Sequence, residues 1–359
     1  MAASAQRIVV GSRVEVPSIG AGMVAMDNED GTWNIEFDDG QEGDFPTGQF
    51  VLAANQSLKE LRQLPDAAPT RELPSGIRVL SIPWSEPKPE GWTRFVCFSD
   101  THGLHGSIPS EHQPEADVLL HAGDFSNTGE LEQVESLSRW LQAYPAQEKV
   151  VIAGNHDTTF HEEYYMGGGG ARFHDPPLDC AQAKALLQGC TYLEDTSTEV
   201  LGYKVYGSPW QPEFCDWAFS LRHGSELWQK WQEIPHDVDI LLTHGPARGF
   251  CDRTSRDQRV GCPELAQAIR QRTVPVSVSG HIHDGYGWTT SVDESTLFIN
   301  ASTCNSSYSP TNPPIVFDAP PAEELRSRQN SQREAGGGRS PGEGGATSFP
   351  RAPPFNELV

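Results

Sequence analysis

Val150-Val151-Ile152-Ala153-Gly154-Asn155-His156-Asp157 is the stretch that decides the fold. Four apolar residues run straight into a glycine, and behind it stand an amide, an imidazole and a carboxylate. A short apolar run bounded by Gly reads as a strand buried on both faces, as in a parallel sheet covered by helices. The pattern recurs at four other places. Phe95-Val96-Cys97-Phe98 ends in Ser99-Asp100-Thr101-His102, and Val118-Leu119-Leu120 leads into His121-Ala122-Gly123-Asp124. Ile240-Leu241-Leu242 leads into Thr243-His244-Gly245, and Val276-Ser277-Val278 into Ser279-Gly280-His281-Ile282-His283. In open α/β sheets, ligands gather outside the carboxyl ends of the strands. Each of these runs places Asp, Asn or His there. The glycines before Asp124, Asn155 and His281 are read as relieving the turn out of each strand. One such ending carries little weight, because polar residues cap strands and a lone buried histidine is usually a core residue. Five in chain order point to one site.

The residue types suit a pair of metal ions. Two cations about 3.5–4 Å apart need one carboxylate that can touch both. Carboxylate, amide and neutral imidazole donors suit Mn²⁺, Fe, Zn²⁺ or Mg²⁺ and not a soft thiolate site. No cysteine lies in these motifs, which disfavours a structural zinc site.

The series Asp-x-His, Gly-Asp, Gly-Asn-His-Asp, His, Gly-His-x-His resembles that of the calcineurin-like metallophosphoesterases. It is similar in particular to the metallophosphoesterase-domain-containing (MPPED) phosphodiesterases. Further stretches carry that resemblance: Tyr206-Gly207-Ser208-Pro209-Trp210, Arg259-Val260-Gly261-Cys262, His283-Asp284-Gly285-Tyr286-Gly287, Ile299-Asn300-Ala301-Ser302-Thr303-Cys304 and Pro310–Asp318. It spans roughly 93–318. It implies a four-layer α/β/β/α sandwich, and hydrolysis of a phosphodiester such as a cyclic nucleotide by a metal-bridging hydroxide. Carried over residue by residue, Asp100, His102, Asp124 and His283 would hold one metal. Asp124, Asn155, His244 and His281 would hold the other, with Asp124 bridging and Mn²⁺ the expected ion. Some family members have Gly at the first His of Gly-His-x-His; this chain keeps His281. His156 is the implied catalytic group at the leaving oxygen, with Asp157 either orienting it or merely capping. His121 is expected to pack. His105, Tyr286 and Asn305 are candidate substrate-binding residues.

Outward from this unit, the chain divides into four parts. Residues 1–56 read as short strands separated by Asn28-Glu29-Asp30-Gly31 and Asp38-Asp39-Gly40, hairpin signals that suggest an all-β SH3- or Tudor-like barrel. Residues 57–92 hold Pro65, Pro69, Pro74, Pro83, Pro87 and Pro89 and read as a linker. Residues 93–320 form the metallophosphoesterase unit, and the Gly/Ser/Pro-rich stretch 321–359 is expected to be a disordered tail. Leu131, Val134, Leu137 and Leu141 show helix spacing, with Asn127 or Thr128 as its cap, and Trp228, Trp231 and Ile234 read as packing residues. Gly167–Gly170 reads as a surface loop.

The charge of −23 over 359 residues disfavours a nucleic-acid polymer or an anionic membrane as partner, yet leaves small phosphate esters open once metals invert the local field. Seven cysteines without a CxxC pair, no signal pattern and no spanning run make a cytoplasmic protein the expectation. Two other functions stay open: a phosphomonoesterase on the same metals, and a non-catalytic scaffold whose barrel recruits a protein partner. For the barrel, Trp33, Phe37, Phe45 and Phe50 are either its core or an aromatic cage.

Overall fold

The structure, a computed structural model, describes residues 70–336 and the backbone of five strands between residues 13 and 52. These are β1 (Arg13–Val16), β2 (Gly20–Asp27), β3 (Thr32–Phe37), β4 (Glu42–Pro46) and β5 (Val51–Leu52). They pair antiparallel in the order β4-β3-β2-β1-β5. The turns and side chains on which the barrel and its aromatic cage depend lie outside the described residues. So do residues 57–69 of the expected linker and 337–359 of the expected tail.

The next elements in the chain are β6 (Arg71–Glu72), β7 (Arg78–Val79), β8 (Thr93–Phe98), β9 (Ala116–Ala122), α1 (Leu131–Ala143), β10 (Ala146–Ile152), α2 (Glu162–Tyr164), α3 (Cys180–Leu186) and β11 (Thr191–Tyr192). Then come β12 (Thr196–Val200), β13 (Tyr203–Ser208), β14 (Gln211–Pro212), β15 (Ser220–Leu221), α4 (Ser225–Gln232), β16 (Ile240–Thr243), α5 (Pro263–Arg272), β17 (Val276–Ser279), β18 (Gly287–Thr290), β19 (Leu297–Asn300), β20 (Ile315–Ala319) and α6 (Ala322–Gly336). One sheet has the order β11-β10-β9-β8-β20-β7-β6, and the other β12-β13-β16-β17-β19-β18. Strands β8 to β11 run parallel, as do β13, β16, β17 and β19.

Strand alternation builds the layers. Phe95, Cys97, Val118, Leu120, Val150 and Ile152 face Val205, Ile240, Leu242, Val276 and Val278 between the two sheets. Their neighbours Val96, Phe98, Leu119 and Val151 point the other way, onto Val134, Leu137 and Leu141 of α1 and Ala183 of α3. On the far side Tyr206, Leu241 and Phe298 pack on Leu227 and Trp231 of α4 and on Leu265, Ala268 and Ile269 of α5. The order is helix, sheet, sheet, helix. No helix among the described residues is long and apolar enough to cross a membrane.

Four expectations are corrected. The Pro-rich stretch is not all linker: β7 pairs with β20, and Leu73, Ile77, Val79, Leu80 and Trp84 are buried. The fold does not stop at 320, because α6 docks Ala322 and Leu325 onto the inter-sheet core and Arg326 onto Asp239. Helix α1 is preceded by Glu130 and has no side-chain cap; Thr128 instead donates its hydroxyl to the Glu130 carboxylate at 2.8 Å. Gly167–Gly170 is wound into helical turns. A Cβ on Gly169 would lie 2.4 Å from the Tyr164 ring, which would have to shift to admit it.

Candidate metal centre

The carboxyl ends of β8, β9, β10, β16 and β17 converge, and every residue expected at a metal lies in one cluster, buried except at the half-buried His281 and His283. Bonds within and between the sheets lock it. The Gly280 N–H donates to the His244 carbonyl at 2.9 Å, and the His281 N–H donates to both oxygens of Asp100 at 3.0 Å. The chain turns out of these strands through left-handed backbone: Asp100 has φ 50°, His102 43°, Asp124 54° and His281 66°. Non-glycine residues held so are strained, and such strain gathers at functional sites. Gly123, at φ 95°, does relieve its turn as expected. Gly154 and Gly280 serve differently. A Cβ on Gly154 would lie 2.2 Å from Asp124 Oδ1, and one on Gly280 would lie 2.1 Å from Asp100 Oδ2. They make room for the carboxylates.

Three groups of side chains stand close enough to hold a metal ion: Asp100, His102 and His283; Asp124, His244 and His281; and His102, Asp124 and His156. The third group joins the other two, sharing His102 with the first and Asp124 with the second. Asn155 Oδ1 lies 3.0 Å from His244 Nε2, which itself stands 3.1 Å from Asp124 Oδ2. His283 Nε2 is 3.3 Å from Asp100 Oδ1 and 3.3 Å from His102 Nε2.

Tautomers follow from partners that can only accept. His244 Nδ1 donates to the Ala122 carbonyl at 2.8 Å and His283 Nδ1 to the Asn305 carbonyl at 2.9 Å. Both rings therefore direct Nε2 into the cluster, the arrangement found in metal-ligating histidines. Burial holds the His102 imidazole well below its usual range and lowers His281 to about 3, so both stay neutral with a lone pair to offer. Burial would raise the Asp100 carboxyl, but the hydrogen bond and charge of His283 hold it well below the carboxylate range. Burial lowers His244, yet the charge and hydrogen bond of Asp124 take it up to about 9. Buried carboxylates beside the neutral rings of His102 and His281, and a His102 Nδ1 without a partner, fit divalent cations.

His156 stands where the two end groups meet, within ligating range of His102 and Asp124. Its N–H donates to Asp124 Oδ1 at 2.9 Å, and its ring lies 4.8 Å from His102 and 4.2 Å from Trp217. The ring is oriented by the Asn127 carbonyl, 2.7 Å from Nδ1, and not by Asp157. Asp157 instead accepts from Ser126 N–H at 2.9 Å, Ser126 O–H at 2.6 Å and Gly154 N–H at 2.8 Å, tying the β9 and β10 loops together. Burial and the charge of Asp124 raise its carboxyl to about 8 against those donors.

The three expected substrate residues are committed to other contacts. His105 is fully buried, with Nε2 3.0 Å from Ser136 Oγ on α1. Tyr286 donates its hydroxyl to the Pro313 carbonyl at 2.7 Å. Asn305 Oδ1 accepts the N–H groups of Ser307 and Ser309, at 2.9 and 3.1 Å. His121 packs as expected, 3.1 Å from Thr101 Oγ1.

Two residues not singled out by sequence complete the frame. Ser302 donates to Asp100 Oδ2 at 2.9 Å, and the Asn300 amide donates to the Gly280 and Ile282 carbonyls at 3.2 and 2.8 Å. Their signal was present: Leu297-Phe298-Ile299 is another apolar run ending in polar residues.

The calcineurin-like phosphoesterase family model matches residues 93–285. Metallophosphoesterase domain-containing protein 1 of Homo sapiens is 44% identical over 248 residues, which cover 67% of this chain and 74% of that protein; the Mus musculus protein of that name matches equally. UPF0046 protein T07D4.2 of Caenorhabditis elegans is 39% identical over 241 residues, covering 63% of this chain and 60% of that one.

Proposed function

The chain belongs to the calcineurin-like phosphoesterase family, and from that membership we propose that it is a dinuclear-metal phosphodiesterase. The family uses a dinuclear metal centre and acts on small phosphate esters. The observation that carries the reading is a continuous run of donors, Asp100, His102 and His283 at one end and Asp124, His244 and His281 at the other, joined where His102 meets Asp124. Asp100, His102, Asp124 and His283 would hold one cation and Asp124, Asn155, His244 and His281 the other, with Mn²⁺ the proposed ion. The similarity to metallophosphoesterase-domain-containing proteins supports a small diester, a cyclic nucleotide among the candidates. Residues 1–56 are a separate module for a protein partner, and the location is cytoplasmic.

When bound, the cations supply Lewis acidity toward phosphate oxygens and lower the pKa of a water. The chain's own residues do the rest. The Ala122 and Asn305 carbonyls keep His244 and His283 in the ligating tautomer. The Asn127 carbonyl holds one proton of His156 on Nδ1 and directs Nε2 toward the site; in the imidazolium form Nε2 carries a second proton, which passes to the leaving oxygen and leaves the ring neutral. Trp217 backs that ring and excludes water behind it.

Two substitutions separate ligand from acid. Asp124→Asn loses metal and activity together. His156→Ala keeps both metals and loses kcat, by roughly 10²–10⁴-fold on an alkoxide leaving group and much less on nitrophenolate, which needs little protonation. Elemental analysis beside kcat on both substrate types decides it. Loss of a metal from His156→Ala, or an equal deficit for both leaving groups, contradicts the role given to His156.

A further inference from the structure

The donor cluster is deepest at Asp100, Asp124 and His244 and opens at His281 and His283, which keep contact with solvent. Substrate must arrive from that side. Two half-buried aromatic side chains stand there. The Tyr308 ring lies 4.5 Å from the His102 ring, 5.0 Å from His283 and 6.2 Å from His156, centroid to centroid. At the other donor group, Phe214 stands edge-on to His281 at 6.4 Å.

Neither ring belongs to any of the three apolar cores. Both are placed by unusual backbone. Tyr308 has φ 52°, and Cys215 and Asp216, which follow Phe214, have 49° and 51°. The Asn305 carbonyl accepts the Tyr308 N–H at 2.8 Å and also fixes His283 Nδ1, so one carbonyl positions both a candidate ligand and the ring beside it. A large aromatic held in left-handed backbone outside any core is there for what it faces.

We propose that Tyr308, with Phe214, grips the organic group of the phosphoester and is a specificity-determining residue that favours planar aromatic substituents over aliphatic ones. This rests on the phosphoester reading above. A planar group can meet these rings edge-to-face or offset-stacked at ordinary centroid distances, whereas a methyl group leaves the ring faces wet. The substrate class is a phosphoester bearing a flat aromatic group, with sugar-only or glycerol esters disfavoured.

The test uses full-length, Mn²⁺-loaded protein as wild type, Tyr308→Phe and Tyr308→Leu. Bis(4-nitrophenyl) phosphate and methyl 4-nitrophenyl phosphate share a leaving group and differ only in the retained one. The aryl-to-methyl ratio of kcat/KM should hold in Tyr308→Phe. In Tyr308→Leu it should fall roughly 3- to 10-fold, mainly through KM, with metal content unchanged. Calorimetric binding of phenyl phosphate against methyl phosphate should show the same narrowing. If the leucine substitution unfolds the chain, Tyr308→Asn, which tolerates left-handed backbone, gives the same comparison. An unchanged ratio, an equal loss on both substrates, or a collapse of the ratio in Tyr308→Phe overturns the proposal. Should wild type turn over neither diester, the phosphodiesterase reading fails, and the two binding constants still decide the role of Tyr308.

Discussion

Gly154 shows how little space the centre leaves. A side chain there would meet Asp124 Oδ1 at 2.2 Å and the Asp124 nitrogen at 2.7 Å. Gly154→Ala should push the shared carboxylate aside, cut Mn²⁺ affinity about 10- to 100-fold and cost about 1–3 kcal/mol of stability through overpacking. Mn²⁺ titration and denaturant melts read both, and wild-type affinity would show that the position of Asp124 is not critical. His161 makes a prediction of a different kind. Its Nδ1 accepts the Phe219 N–H at 2.9 Å, and its ring stacks on Phe219 at 4.6 Å. Burial lowers its pKa from 6.5 to about 4. The unfolded chain therefore binds the proton first as pH falls. Stability contributed by neutral His161 is complete above pH 6.5, is lost between 6.5 and 4, and changes no further below that. His161→Gln should flatten the stability–pH curve in that window by at most roughly 3 kcal/mol. Identical curves for the two proteins would refute it.

At the scale of elements, the two short strands at the edge of the seven-stranded sheet carry more of the fold than their length suggests. Leu73, Ile77, Val79, Leu80 and Trp84 are buried. At about 1.5–3 kcal/mol per large apolar side chain, their loss rivals the whole stability of a domain. A chain started at residue 93 should fail to fold or aggregate, while one started at residue 61 should melt like the full protein. A cooperative, unshifted melt from the shorter chain would contradict the role given to β6 and β7. These strands were illegible in the sequence because two residues carry no period and prolines surround them. The strands that carry the candidate ligands were legible for the opposite reason: Val150–Ala153 and its counterparts are buried on both faces, and two of them end at glycines, Gly154 and Gly280, that leave the carboxylates room. Ser302 and Tyr308 fall between. Ser302 meets Asp100 across 202 residues of chain, and no local pattern announces such a return.

For the whole molecule, the net charge of −23 stands against a site that needs to receive phosphate, and two divalent cations would reverse the sign locally. Residues 1–56 hold no His or Cys that could reach a metal, so deleting residues 1–60 should leave kcat/KM on a small chromogenic diester within a few fold; a thousandfold loss in a folded chain would make those strands part of the pocket. The most direct test of the account is a paired measurement on full-length protein stripped by chelation and titrated with Mn²⁺. Bound metal is counted by elemental analysis while hydrolysis of bis(4-nitrophenyl) phosphate is followed. The account predicts no turnover in the metal-free protein and recovery that reaches its plateau at two Mn²⁺ per chain. Undiminished turnover in protein confirmed to be metal-free would contradict it.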